Sequence, residues 1–171
     1  MKNILVFFAF FLLFACDSLN KLNKSEELIA CPDVFFSGEH RDYIHFENES
    51  LNLQNISYSA NINNYDFIQN CSKNEHSFKI PIDILIVAKP IKVSSANLKL
   101  PIYTILLDEN DDLIETQYFL IESSLTRDSD NRSFVESEIY GKLEIVTSNK
   151  IAIDNIIVGF MINEEKSEFI D

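Results

Sequence analysis

Apolar and polar residues alternate with a period of two through most of the chain, the spacing of strands that bury one face. Ile56, Tyr58, Ala60 and Ile62 alternate with Ser57, Ser59 and Asn61. Phe78, Ile80, Ile82, Ile84 and Ile86 form a longer run against Lys79, Pro81 and Asp83, and Leu85 and Val87 make its second half apolar on both faces. Leu98, Leu100, Ile102, Thr104 and Leu106 repeat the design against Lys99, Pro101 and Tyr103. Pro81 and Pro101 each remove a ladder donor, which predicts a sheet edge or a bulge at both positions.

The polar run Asp108–Asp112 separates the third of these segments from Leu113–Glu122, rich in Ile, Thr, Tyr and Phe, and the sequence of strand, polar turn and strand predicts a hairpin. Ser123–Arg132 reads as a polar loop, and further strands are predicted at Ser133–Tyr140, Lys142–Val146 and Asn155–Ile162. No stretch beyond residue 30 keeps a helical apolar stripe for more than two turns. About seven to nine short strands joined by polar turns predict an all-β fold, an antiparallel β-sandwich of immunoglobulin- or fibronectin-like type. The Cys…Trp…Cys signature of antibody domains is absent, since the chain has no Trp.

One segment breaks the alternation. Ile4–Ala15 is apolar all round and follows Met1-Lys2-Asn3. At about 1.5 Å per residue it spans roughly 18 Å as a helix, short of the roughly 30 Å hydrocarbon core. With no amphipathic period it does not read as a core helix either. A positive start, a short apolar run and a small residue before Cys16 are the parts of an export signal. Leu13-Phe14-Ala15-Cys16 resembles the lipobox of bacterial lipoprotein precursors. The resemblance implies that residues 1–15 are a signal peptide, that Cys16 carries the covalent lipid, and that the domain faces the periplasm. Two or more acyl chains give a stable membrane anchor where one does not. Asp17 resembles the signal that keeps such proteins at the inner membrane, with the outer membrane as the alternative.

Residues 16–30 read as a polar tether, 31–162 as the β-sandwich domain, and 163–171 as a flexible tail. With Cys16 assigned to lipid, Cys31 and Cys71 remain as an even pair. In an oxidising compartment they are expected to form a disulfide; two buried free thiols are the competing reading. The mature part also resembles small uncharacterised lipoproteins of Gram-negative bacteria, in Cys31-Pro32 after the tether, Cys71 ahead of a long strand, and the closing Ile157–Phe160. That likeness implies no particular activity.

Charge narrows the partners. Twenty-seven Asp and Glu against fourteen Lys and Arg give a formal charge of −13. Nucleic acid is therefore excluded as an expected partner, because phosphate binding needs clustered cations. Anionic headgroups would repel the domain, so the acyl chains must supply its attachment to the membrane. Catalytic chemistry finds little footing. Asp108, Asn110 and Asp112 begin like a calcium loop, but the Gly and Glu which that loop requires are replaced by Leu113 and Phe119. His40, His45 and His76 are dispersed, and Gly38, Gly141 and Gly159 cannot build a phosphate cradle. No catalytic residue, metal site or cofactor is expected. Phe35-Phe36 and the Tyr65–Phe67 segment are candidates for an exposed aromatic patch. The expectation is a lipid-anchored, non-enzymatic binding or accessory module for an envelope protein partner; the alternative is a sandwich that holds a small apolar or lipidic ligand.

Overall fold

In the computed structural model, which describes residues 26–48, 51–91, 97–130, 133–148 and 150–162, the alternation becomes ten strands. They are β1 (Glu27–Ile29), β2 (Asp33–Phe36), β3 (Asp42–Phe46), β4 (Ile56–Phe67), β5 (Cys71–Lys73), β6 (Ser77–Pro90), β7 (Asn97–Leu107), β8 (Leu113–Ser124), β9 (Ser137–Ser148) and β10 (Asn155–Phe160). The signal segment, Cys16 and the 163–171 tail lie outside the described residues.

The strands form two sheets. In the six-stranded sheet β6 is the spine, with β9 along one side from Ser77↔Ser148 to Ala88↔Ser137. Its other side is shared end to end by β5 and β4, which carry β1 and β3 beyond them. The four-stranded sheet runs β2-β10-β7-β8; it is antiparallel except for the parallel pair β2 and β10. Ile80, Ile82, Ile84 and Ile86 of β6 and Leu98, Leu100, Ile102 and Leu106 of β7 are all essentially fully buried and belong to one core cluster. Packing the two inner faces together removes this apolar surface from water and makes the molecule an antiparallel β-sandwich.

Both prolines lie inside central strands, not at edges or bulges as expected. A residue in a strand points its N–H and C=O to the same side. Pro81 O accepts the Ile68 N–H on the side where β4 ends and β5 has not begun, so the missing donor falls in that gap. Pro101 O accepts the Met161 N–H just past the end of β10. The strands predicted at 133–140 and 142–146 are likewise one continuous β9, with a strict buried–exposed alternation that passes through Gly141. A Cβ at Gly141 would clash with Ile121 Cδ1 of β8, so glycine here gives room for close approach.

β8 and β9 are the edge strands on that side of the sandwich, and they meet. Gln117 Nε2 donates to Val146 O at 3.0 Å, and the Thr147 hydroxyl donates to the Glu115 carboxylate. On the opposite side Arg41 Nε donates to Ile62 O at 2.7 Å while its guanidinium lies over the Phe36 ring. β1 falls inside the polar stretch read as tether. It pairs with β5, carries the Glu27–Lys73 ion pair at 3.3 Å, and is followed at once by Cys31, disulfide-bonded to Cys71. Covalent closure, more than local apolar content, brings so short a segment to the sheet.

Candidate functional site: an apolar outer face

In the four-stranded sheet the buried side chains of β7 point inward, so Lys99, Pro101, Tyr103, Ile105 and Leu107 point out. Register then fixes their outward neighbours. Leu107 lies beside Leu113, and Ile105 lies between Thr116 on β8 and Ile157 on β10, with Phe35 of β2 next in the row. Tyr103 lies between Tyr118 and Gly159, and Pro101 between Leu120 and Met161. From the Pro101 row to the Ile105 row no outward residue is charged. Charge returns only at the margins: the Lys99–Glu122 pair at one end, at 3.9 Å, and Asp33 with the Asp108–Asp112 turn at the other.

Phe35, Leu113, Tyr118, Leu120 and Met161 are exposed, Tyr118 to 66% and Leu120 to 58%. About nine residues each of β7 and β8, with the six of β10 and four of β2, at about 3.3 Å per residue and 4.8 Å per strand, give a face of roughly 450 Å², in the range of the largest apolar patch on an ordinary monomer, which is often functional. The outer face of the other sheet is different in kind. Asp42, Asn61, Lys79, Asp83, Lys89, Glu138, Lys142 and Glu144 point from it among Leu85, Val87, Tyr140 and Val146, with cross-strand ion pairs such as Lys79–Glu144 at 2.9 Å.

Gly159 shapes the apolar face. A Cβ there would come within 2.7 Å of the Tyr103 hydroxyl and 2.8 Å of its ring, so a side chain would push the ring away. With glycine the Tyr103 ring lies across β10, and the His40 ring meets it edge-on at 5.5 Å.

The remaining candidate residues serve the fold. His45 is stacked on Tyr58 at 4.7 Å, and His76 sits in a turn where Asn74 Oδ1 accepts its backbone N–H. The Tyr58 hydroxyl donates to Lys99 O and accepts from Lys99 N–H, tying β4 to β7; burial pushes its pKa up to about 12. Burial also raises that of Tyr43. Asp108 Oδ1 accepts the backbone N–H groups of Asn110 and Asp112, which lower its pKa and occupy the carboxylate in its own turn. Among the described residues no group of three His, Cys, Asp or Glu is placed to hold a metal, and no helix is long and apolar enough to cross a membrane. An open depression of about 260 Å³ on the charged sheet is lined by Asp42, Tyr43, Ile44, Ser59, Ala60, Asn61, Val87 and Lys89. Its Asp42 and Asn61 side chains already bond each other at 2.7 Å.

Of the two aromatic segments singled out in the sequence, Phe35 alone joins the apolar face. Phe36 points the other way and meets Tyr65 edge-on at 5.9 Å, and Tyr65 meets Phe67 at 5.8 Å. The sequence reading missed Tyr103, Ile105, Tyr118, Leu120 and Ile157. Their signal is the run of apolar solvent-side positions from 101 to 107 and from 118 to 120. Comparison of the chain with protein-family models, with curated proteins and with solved structures finds no match.

Proposed function

We propose that this protein is a lipid-anchored, non-enzymatic binding module of a bacterial cell envelope, held at the membrane by Cys16 and docking a protein partner on the outer face of its four-stranded sheet. The observation that carries the reading is that face: roughly 450 Å² charged only at its two ends, on a chain of net charge −13. An immunoglobulin- or fibronectin-like sandwich fits the role, since such sheets bind through faces and edges and need no catalytic residues. The lipobox-like Leu13–Cys16 supports the anchor, and the Cys31–Cys71 bond is of the kind that persists in an exported protein. Periplasmic placement, with Asp17 favouring the inner membrane, belongs to the same proposal. The inward side chains of both sheets form one contiguous cluster, which favours face docking over a ligand held between the sheets.

Two substitutions in the full chain test the halves separately. Cys16→Ser is expected to abolish incorporation of labelled palmitate and to release the chain from membranes; unchanged labelling would refute the anchor. Leu120→Glu is expected to lower recovery of the crosslinked partner at least tenfold, with an unchanged circular dichroism spectrum. Equal recovery would remove the face from the account.

A further inference from the structure

We propose that the occupant of the apolar face is a second copy of this chain, stacked sheet on sheet with the acidic ends of the two copies at opposite ends of the contact. The inference rests on the reading that the face is a docking surface, and it names the partner.

Charge selects self-pairing. Lys99 is the one cation among the outward residues of β2, β10, β7 and β8, and Glu122 already faces it. The face therefore offers a highly charged partner, of either sign, almost no counter-charge. It does accept a surface as neutral as itself, and among the described residues this same face is such a surface. The other sheet's outer face carries both signs already matched within one copy, Asp83 beside Lys142 and Lys79 bonded to Glu144, so a second copy there would have to desolvate charges that are already paired. Stacked through the four-stranded sheet, two copies meet over Tyr103, Tyr118, Leu120 and Ile105, where no like charges are juxtaposed. Aligned packing of two sheets about 10 Å apart is a standard way to bury such faces.

The margins set the direction. Asp33, Asp108, Asp111 and Asp112 crowd one end of the face, and Lys99 stands at the other. With the two sheets running in the same sense the acidic ends would superpose. A two-fold axis across the strands instead separates them and carries each Lys99 over the partner's acidic end. Two faces of roughly 450 Å² bury about 900 Å² in total, the size of a weak, reversible interface. Anchoring both copies in one membrane would raise their effective concentration and make such an affinity sufficient.

The test is sedimentation of the full chain in non-ionic detergent with micelles in excess, over protein concentrations up to the limit of its solubility. A monomer–dimer equilibrium is expected that tightens severalfold with salt, because screening relieves repulsion between two acidic bodies while apolar burial is kept. Leu120→Glu should weaken it at least tenfold, and Tyr140→Glu on the other sheet should leave it unchanged. A zero-length carbodiimide crosslink from Lys99 of one copy to Asp33 or Asp111 of the other, scored as mixed-isotope peptides, should form in the wild type and vanish in Lys99→Gln. A monomer throughout the range overturns the proposal, as does a dimer indifferent to Leu120→Glu. If the chain is monomeric yet captures a foreign protein that Leu120→Glu releases, self-pairing fails and the docking face stands. If Leu120→Glu affects neither, both fail.

Discussion

Replacing Cys31 and Cys71 together by alanine is expected to lower the stability of the domain by about 4 kcal/mol, the chain entropy released when a loop of this length is opened. The bond joins residues 40 apart, and Cys71 is fully buried, so the estimate rests on a long loop and a well-packed site. Locally the consequence is larger. β1 pairs with β5, and β5 meets β6 through two register pairs, Ser72↔Lys79 and Lys73↔Phe78. Without the covalent link little holds this corner. Against a typical stability of about 5–15 kcal/mol the loss is severe. Urea unfolding of the oxidised and the doubly substituted chain measures it, and midpoints about 2 M apart are expected for a domain of this size. Coincident midpoints would mean that the bond constrains nothing the fold does not already hold.

The second large effect is expected at Phe160. Its side chain is fully buried at the end of β10 and lies 5.2 Å from the Tyr43 ring of β3, so this aromatic contact, with Phe36–Tyr65, joins the two sheets on the side away from β8 and β9. Phe160→Ala removes the ring and leaves a cavity between sheets that cannot close without breaking register, at a cost of about 3–5 kcal/mol. Met161 is the next residue and is exposed, and Met161→Ala should stay within about 0.5 kcal/mol. Chemical denaturation of the pair is the check. Similar small losses at both positions would mean that Phe160 does not join the sheets.

Much of this core was legible in the chain. Ile80 to Ile86 and Leu98 to Leu106 read as half-buried strands because burial of one face imposes a period of two, and the fully buried residues are those the alternation marks. The Asp108–Asp112 turn was legible for the same local reason. What escaped depends on distant residues. Gly141 looked like a strand break because its role is to admit Ile121, twenty residues earlier in the chain. Pro81 and Pro101 looked like edge markers because the places where β5 begins and β10 ends cannot be read from β6 or β7. β1 was hidden in a polar stretch because its partner is supplied through Cys71. The apolar face escaped for a related reason. Tyr103, Tyr118 and Phe35 are unremarkable singly, and pairing β7 with β8 and β10 with β2 is what assembles them.

The central claim is that the four-stranded sheet, and not the charged one, meets a partner. Tyr118 and Tyr140 are exposed to 66% and 65% on the outer faces of opposite sheets, which makes them a matched pair for one measurement. A photoreactive amino acid placed at 118 in the full chain, irradiated in cells that express it, is expected to give a discrete adduct, of twice the chain's own mass if the partner is a second copy. The same group at 140 is expected to give none. Adducts of equal yield from both positions, or an adduct from 140 alone, would contradict the account.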